Sequence, residues 1–138
     1  MISARNKIKG KVVEVKPGVV NGIVKIDAGS GVSITASITM DSINSLGLVP
    51  GKDCYAVVKA SEVMVALNEV RLSARNQIKG KITEIEKGAV SAVVKIDGPA
   101  DIKLCSVITM DSVTALNLNA GNEVVAVVKA SSVMVSVD

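Results

Sequence analysis

The sequence predicts an all-β protein made of two tandem five-stranded barrels, each with one short helix. Three observations lead to this prediction: the chain repeats itself, its apolar residues are largely β-branched, and short alternating segments are separated by turn residues. Apolar residues make up 49% of the 138 residues, yet Phe and Trp are absent and Tyr55 is the only aromatic residue. A core of Val, Ile, Leu, Ala and Met favours strands.

The internal repeat divides the chain into two modules, predicted at 1–68 and 71–138. Ser3-Ala4-Arg5-Asn6 returns as Ser73-Ala74-Arg75-Asn76, and four further motifs return with the same spacing of 70 residues. Roughly half of the aligned positions are identical, which indicates an internal duplication. A module this small is marginally stable alone, so we expect association. The linker at 68–71 has neither Gly nor Pro, and we expect the halves to pack together or exchange strands.

Each module is predicted to contain five strands, which in the first copy span 9–15, 19–27, 32–38, 53–59 and 62–67. Turns are indicated by Pro17-Gly18 and by the loop at 28–31. A short helix is predicted to begin after Thr39 as its N-cap and to end at Gly47, or at Asn117 in the second copy. This order of elements is typical of a small OB-like barrel.

The composition disfavours several functional classes. The net charge is only +3, and a single-strand binder needs a basic groove with aromatic stacking platforms. Histidine is absent, and neither Cys54 nor Cys105 is repeated, so we expect no metal-cation site, no catalysis and no disulfide framework. No apolar run is long enough to span a membrane. Because the first motif begins directly at the N-terminus, we expect no signal peptide and a cytoplasmic location.

The polar residues kept in both copies are mostly hydrogen-bond donors, which indicates a site for a tetrahedral oxyanion. One Arg and one Lys balance a dianion, while hydroxyls and helix-start N–H groups supply further donors. Each residue also has a structural interpretation: a turn cap, a helix-start residue, an exposed strand face or a turn residue. Retention of the whole set favours the anion site. The first-copy set is Ser3, Arg5, Asn6, Thr39, Asp41, Ser42, Lys59 and Ser61.

Three motifs in order, Ser-Ala-Arg-Asn with Ile-Lys-Gly, then Thr-x-x-Ser, then Val-Val-Lys-Ala-Ser, resemble the Mop domain of the molbindins, twice over. The resemblance implies binding of molybdate, and of tungstate, with no organic cofactor, by a homotrimer of tandem modules with anions between them. It implies a first site of Ser3, Ala4, Arg5, Thr39, Ser42, Lys59, Ala60 and Ser61. The second copy would use Ser73, Ala74, Arg75, Thr109, Ser112, Lys129, Ala130 and Ser131.

The resemblance also implies a second type of anion site, at the turn between the first two strands of each module. The corresponding residues are Gly18, Val20, Asn21, Gly88, Val90 and Ser91. The change from Asn21 to Ser91 departs from the family pattern. The functions left open are storage and homeostasis of molybdenum, molybdate sensing through a partner protein, and nucleic-acid binding by an OB fold; an enzyme, a DNA reader and a membrane protein are not expected.

Overall fold

The computed structural model describes residues 6–68, 73–74 and 76–137, and these residues form an all-β fold. The strands of the first half are β1 (Asn6–Lys16), β2 (Asn21–Gly29), β3 (Val32–Thr39), β4 (Asp53–Val58) and β5 (Met64–Ala66), with helix α1 (Met40–Ser45) and the 3-10 turn Ala60–Glu62. Those of the second half are β6 (Asn76–Lys87), β7 (Ser91–Asp97), β8 (Lys103–Thr109), β9 (Glu123–Val128) and β10 (Met134–Ser136), with helix α2 (Met110–Ala115) and the 3-10 turn Ala130–Ser132. The predicted fold class is confirmed.

The two halves exchange their last strands. One antiparallel sheet has the order β10-β4-β1-β2-β3 and the other β5-β9-β6-β7-β8, so each sheet takes one edge strand from the other half. β10 pairs with β4 from Met134 opposite Val57, and β5 pairs with β9 from Met64 opposite Val127. Strand exchange, one of the two arrangements expected from the short linker, is therefore observed.

Three predicted strand starts are wrong, for reasons of burial and local turn geometry. Val19 and Val20 are 99% and 70% exposed and lie in a bend, so β2 begins only at Asn21. Glu62 belongs to a 3-10 turn closed by the bond from its N–H to the Lys59 carbonyl, which leaves only Met64–Ala66 as strand. β1 starts earlier than predicted, at the fully buried Asn6.

The core follows the alternation of the strands and is continuous across both halves. Along β2, Val24 and Ile26 are fully buried, and Val94 and Ile96 occupy the same positions on β7. Burying a side chain of this size stabilises the fold by roughly 1.5–3 kcal/mol. Because the cluster draws on both sheets, neither half buries its apolar face alone.

A buried asparagine from each half binds the backbone of the other half. Asn6 donates from Nδ2 to the Cys105 carbonyl at 2.8 Å and accepts from the Cys105 N–H at 2.7 Å. Asn76 makes the equivalent pair with the Thr35 carbonyl, 2.8 Å, and the Thr35 N–H, 2.7 Å. Of the structural interpretations given to the retained polar residues, the turn cap was the one for Asn6, and it is wrong because the Asn6 amide joins two sheets. Its retention in both copies has a structural cause.

Candidate functional site

The second-copy Lys-Ala-Ser turn opens into a cleft of about 420 Å³, here named the Lys129 cleft. β9 ends at Val128, and the chain then enters the 3-10 turn with Lys129 extended at φ −67°, ψ 141°. The turn uses the N–H groups of Ser132 and Val133 for its own bonds. The Ala130 and Ser131 N–H groups are therefore available to other acceptors. The cleft is lined by Ile23, Ser37, Met64, Ser73, Ala74, Lys129, Ala130 and Ser131.

Donors dominate the polar lining of the Lys129 cleft. It contains the Lys129 ammonium and the hydroxyls of Ser37, Ser73 and Ser131, and none of the lining residues that the structure describes is acidic. Within the described ranges, the Lys129 ammonium has no ion-pair partner and these three hydroxyls make no hydrogen bond. Such a set can bind an anion, because ammonium and hydroxyl groups all present hydrogen atoms to it.

Strand exchange assembles this cleft from both halves. The Ala130–Ser132 turn leads into β10, which joins the sheet of the first half, and the turn therefore packs against β3. That contact places Ser37 and Ile23, which are paired across β3 and β2, opposite Lys129. The sequence did not indicate Ser37, because Val107 replaces it in the second copy. The replacement of Ser37 by Val107 is the sequence feature that could have drawn attention to this position.

The first-copy turn repeats the same local structure. Lys59 is exposed and extended, Ala60 is 8% exposed, and the Ala60–Glu62 turn packs against β8. Lys59, Ala60 and Ser61 therefore stand in the same relation to β8 as Lys129, Ala130 and Ser131 do to β3. The predicted ligands Ser3, Ala4, Arg5 and Arg75 lie outside the described residues.

The predicted helix-start residues do not line the Lys129 cleft. Thr39 is the N-cap of α1, and its Oγ1 accepts from the Ser42 N–H at 3.1 Å and donates to Ser42 Oγ at 2.9 Å. Thr109 and Ser112 repeat both bonds at α2. The predicted N-caps are confirmed, and so are the left-handed exits at Gly47 and Asn117.

The helix starts offer fewer free donors than expected. The Met40 N–H already donates to the Val20 carbonyl at 2.8 Å, and the Met110 N–H donates to Val90 in the same way. Since the Ser42 N–H is bound to Thr39, two of the first three N–H groups of α1 are occupied. The Asp41 N–H and the Ser42 hydroxyl proton remain the donors of this segment that can reach a ligand.

The residues of the predicted second-type site lie at the exposed turns before β2 and β7. The Gly88 N–H donates to the Ser91 carbonyl at 2.9 Å. A Cβ at Gly18 would collide with the Asn21 carbonyl, and one at Gly88 would lie 2.7 Å from the Ser91 carbonyl. The close backbone approach explains why both copies keep glycine. Val20 and Val90, 70% and 76% exposed, project at these turns.

Among the described residues, five carboxylates away from the Lys129 cleft form ion pairs with lysines. Lys95 contacts Glu84 at 3.1 Å and Glu86 at 3.3 Å, and hydrogen bonds to Glu84 and then Glu86 raise the pKa of its ammonium. Lys25 pairs with Glu14, Lys11 with Asp53, and Lys103 with Asp97. The described residues contain no group of three His, Cys, Asp or Glu that could hold a metal ion. In the same ranges, no helix combines the length and the apolar character needed to cross a bilayer.

Known proteins share this tandem architecture. The TOBE domain model matches residues 2–65 and again 72–135. The chain belongs to the TOBE-domain family. The resemblance to the tandem Mop-domain molbindins is confirmed by a solved structure of the cytoplasmic molybdate-binding protein ModG with molybdate bound, which is 41% identical and covers 99% of both chains with a TM-score of 0.96.

Curated relatives of this TOBE-domain chain include shorter and longer proteins. The molybdenum-pterin-binding protein MopA of Rhodobacter capsulatus is 35% identical over 97% of this chain and 51% of its own length. The molybdenum transport protein ModE of Herbaspirillum seropedicae is 34% identical over 98% of this chain and 51% of its own. A probable molybdenum-pterin-binding protein of Haemophilus influenzae is 46% identical over 48% of this chain and 96% of its own. The chain thus spans about half the length of several relatives it matches.

Proposed function

We propose that this chain binds molybdate, and tungstate with it, as a non-enzymatic storage and homeostasis protein of the cytoplasm. The observation that carries the proposal is the Lys129 cleft, whose polar lining among the described residues consists of hydrogen-bond donors without a carboxylate. A tetrahedral dianion needs positive charge and several convergent N–H or O–H groups. The molybdate bound by the similar ModG protein is an anion of this class.

The proposed ligand set combines charge with short polar groups. Lys129 supplies one positive charge, and Arg75, which the family resemblance includes, would supply the second. Ser73 and Ser131 would donate hydroxyls, and Ala74 and Ala130 would donate through their backbone. The repeat-equivalent set around Lys59 would form another site, with 1–68 and 71–138 as the repeating modules. The domain matches at 2–65 and 72–135 support those limits.

A homotrimer would explain the position of the helix-start hydroxyls. Thr109 and Ser112 lie outside the Lys129 cleft, so a ligand set that includes such hydroxyls needs them from another copy of the chain. Exposed valines offer apolar surface for that association, which is an ordinary role of such surface. They are Val19 at 99%, Val20 at 70%, Val49 at 58% and Val90 at 76% exposure. The second-type anion sites at the same turns belong to this proposal.

The test measures anions and chains together. Native mass spectrometry with and without molybdate should show three chains per particle and a mass increase by several anions. In equilibrium dialysis, Lys129→Met should weaken one class of sites about 10- to 100-fold, because a charge-assisted bond and half of the neutralising charge are lost. Lys103→Met is the matched control, since Lys103 pairs with Asp97 outside the cleft. A wild-type protein that retains no molybdate would contradict the proposal.

A sensing role through a partner protein is the second candidate. It is favoured by the chain's match to about half of the longer ModE protein. Affinity purification in the presence and absence of molybdate distinguishes the two, since only the sensing role requires a fixed partner. Nucleic-acid binding has less support: Tyr55 is the only aromatic residue, and the Lys7 ammonium covers its ring at 4.2 Å.

A further inference from the structure

The two Lys-Ala-Ser turns face different side chains. The Lys129 cleft has Ser37 on its opposite wall, whereas Val107 holds the repeat-equivalent place on β8, against which the Ala60–Glu62 turn packs. We give the name Lys59 site to the repeat equivalents of the Lys129 cleft residues, namely Lys59, Ala60, Ser61, Val93 and Val107. The strand positions that face the two turns therefore differ at the repeat-equivalent pair Ser37 and Val107, of which only Ser37 carries a hydroxyl.

The difference lies in the side chains and not in the backbone. Ser37 pairs with Ile23 across β3 and β2, and Val107 pairs with Val93 across β8 and β7 in the same register. Both residues are half-buried. Because the strands match, the Ser37 hydroxyl and a Val107 methyl group occupy equivalent places.

The Ser37 hydroxyl is available to a ligand. Among the described residues it makes no hydrogen bond, although Ser37 lines the cleft together with Ser73, Lys129 and Ser131. Ser106 on β8, the residue before Val107, shows the contrasting case of a buried hydroxyl that already donates to the Val63 carbonyl. A free hydroxyl facing an unpartnered ammonium can donate to an anion held between them.

We propose that Ser37 is an additional oxyanion ligand and makes the Lys129 cleft the tighter of the two sites. This inference rests on the proposed molybdate binding. A hydrogen bond to a charged group is expected to strengthen binding by about tenfold or somewhat more. The Lys59 site lacks this donor, because valine presents only methyl groups, and it should fill second as molybdate is added.

Two reciprocal substitutions test the proposal on the full chain. Ser37→Val should weaken the Lys129 cleft about tenfold, so that the two classes of sites merge in a calorimetric titration with molybdate. Val107→Ser should strengthen the Lys59 site by a similar factor. Ser33→Val is the matched control: Ser33 lies on the same strand and outside the cleft, and its loss should leave the titration unchanged.

Crystals grown with less than one molybdate ion per binding site would show which position, Lys129 or Lys59, belongs to the tighter class of sites. Anomalous scattering from molybdenum should be stronger at Lys129 than at Lys59 in the wild type, and equal in Ser37→Val. Equal occupancy in the wild type, or an unchanged titration of a Ser37→Val protein with wild-type thermal stability, would overturn the role of Ser37 while leaving molybdate binding intact. Absence of molybdate from both positions would overturn the proposed function itself.

Discussion

The two halves of the molecule reach the same packing with different residues at one buried contact. Gly22 on β2 lies against Ile43 of α1, whereas Ala92 on β7 takes the equivalent place in a half where Val113 replaces the isoleucine. A Cβ at Gly22 would lie 2.6 Å from Ile43 Cδ1. The second half thus gains a methyl on the strand and loses one on the helix. This pair of core positions differs between the halves, while Asn6 and Asn76, which join the halves, are the same residue type.

The largest effect is expected from the asparagines that join the two sheets. Asn76→Ala should lower the free energy of unfolding by about 2–4 kcal/mol, because two hydrogen bonds are lost and the Thr35 N–H and carbonyl remain buried without partners. Asn6→Ala should cost less, since its partner Cys105 is half-exposed and water can replace the amide. Urea unfolding of both variants measures the difference.

Equal losses for Asn6→Ala and Asn76→Ala would contradict this ranking. Losses below about 0.5 kcal/mol in both variants would show that the bonds between the sheets contribute little net stability. Gln77→Ala provides the control, as Gln77 is an exposed neighbour on the same strand and its change should be small.

The compensated pair gives the next largest effect. Gly22→Ala alone should cost about 1–3 kcal/mol, because the new methyl group overlaps the Ile43 side chain and Met40 Sδ, which would be 2.8 Å away. Gly22→Ala with Ile43→Val reproduces the second half and should recover most of that loss. A double-mutant cycle by chemical denaturation measures the coupling. Additive effects of the two substitutions would show that the contact does not explain the divergence.

Local features of the fold were predictable because the sequence encodes them locally. Alternation predicted the number and order of the strands, although not all of their ends. The Thr39 hydroxyl marked the start of α1, and Gly47 marked its end at φ 64°. The sheet that each final strand joins was not predictable. β5 and β10 begin with the same Met-Val pair, so their sequences do not indicate which sheet each strand joins.

The candidate site was predictable in part, for a related reason. Retained residues identified the Lys-Ala-Ser turns, yet retention alone did not separate ligands from structural groups. Asn6 and Asn76 are kept for bonds between the halves. Ser37 was missed because it is not repeated, and its position opposite Lys129 depends on strand exchange.

A smaller difference separates the two turns at their ends. Glu62 and Ser132 are repeat equivalents, and the Ser132 hydroxyl donates to Glu62 Oε2 at 3.1 Å, so the two turns meet here. Glu62→Gln should change the free energy of unfolding by less than about 0.5 kcal/mol, because the hydrogen bond is exposed to solvent and glutamine can still accept it. Removal of a negative charge beside both turns should raise molybdate affinity about two- to threefold at low salt.

Salt dependence is the check on the Glu62 prediction. Calorimetric titrations at low and high ionic strength should show the gain in molybdate affinity shrinking as salt is added, since mobile ions screen exposed charges over about 10 Å at 0.1 M. An equal gain at both ionic strengths would indicate that Glu62 acts through structure and not through its charge. Ser132→Ala removes the hydrogen bond without changing charge and serves as the matched variant.

The smallest effect concerns the one buried thiol, which the second half replaces by Val124. Burial raises the pKa of the Cys54 thiol above its ordinary value, and the nearby Asp53 carboxylate raises it further. The folded state thus favours the neutral thiol. This contribution is fully present below the thiol pKa of the unfolded chain and is lost as the pH rises through the higher folded value. Wild type should therefore lose stability relative to Cys54→Val only above about pH 8.5.

Thermal unfolding of wild type and Cys54→Val across pH 7 to 10 measures this difference. At pH 7 the two proteins should agree within about 1.5 kcal/mol, since the substitution is close to volume-conserving at a site where the first half tolerates sulfur and the second a branched hydrocarbon. Taking the difference between the proteins cancels groups common to both, including the alkaline titration of Lys95. Parallel pH profiles would mean that titration of the Cys54 thiol does not affect stability. The difference between Cys54 and Val124 would then have no pH-dependent consequence.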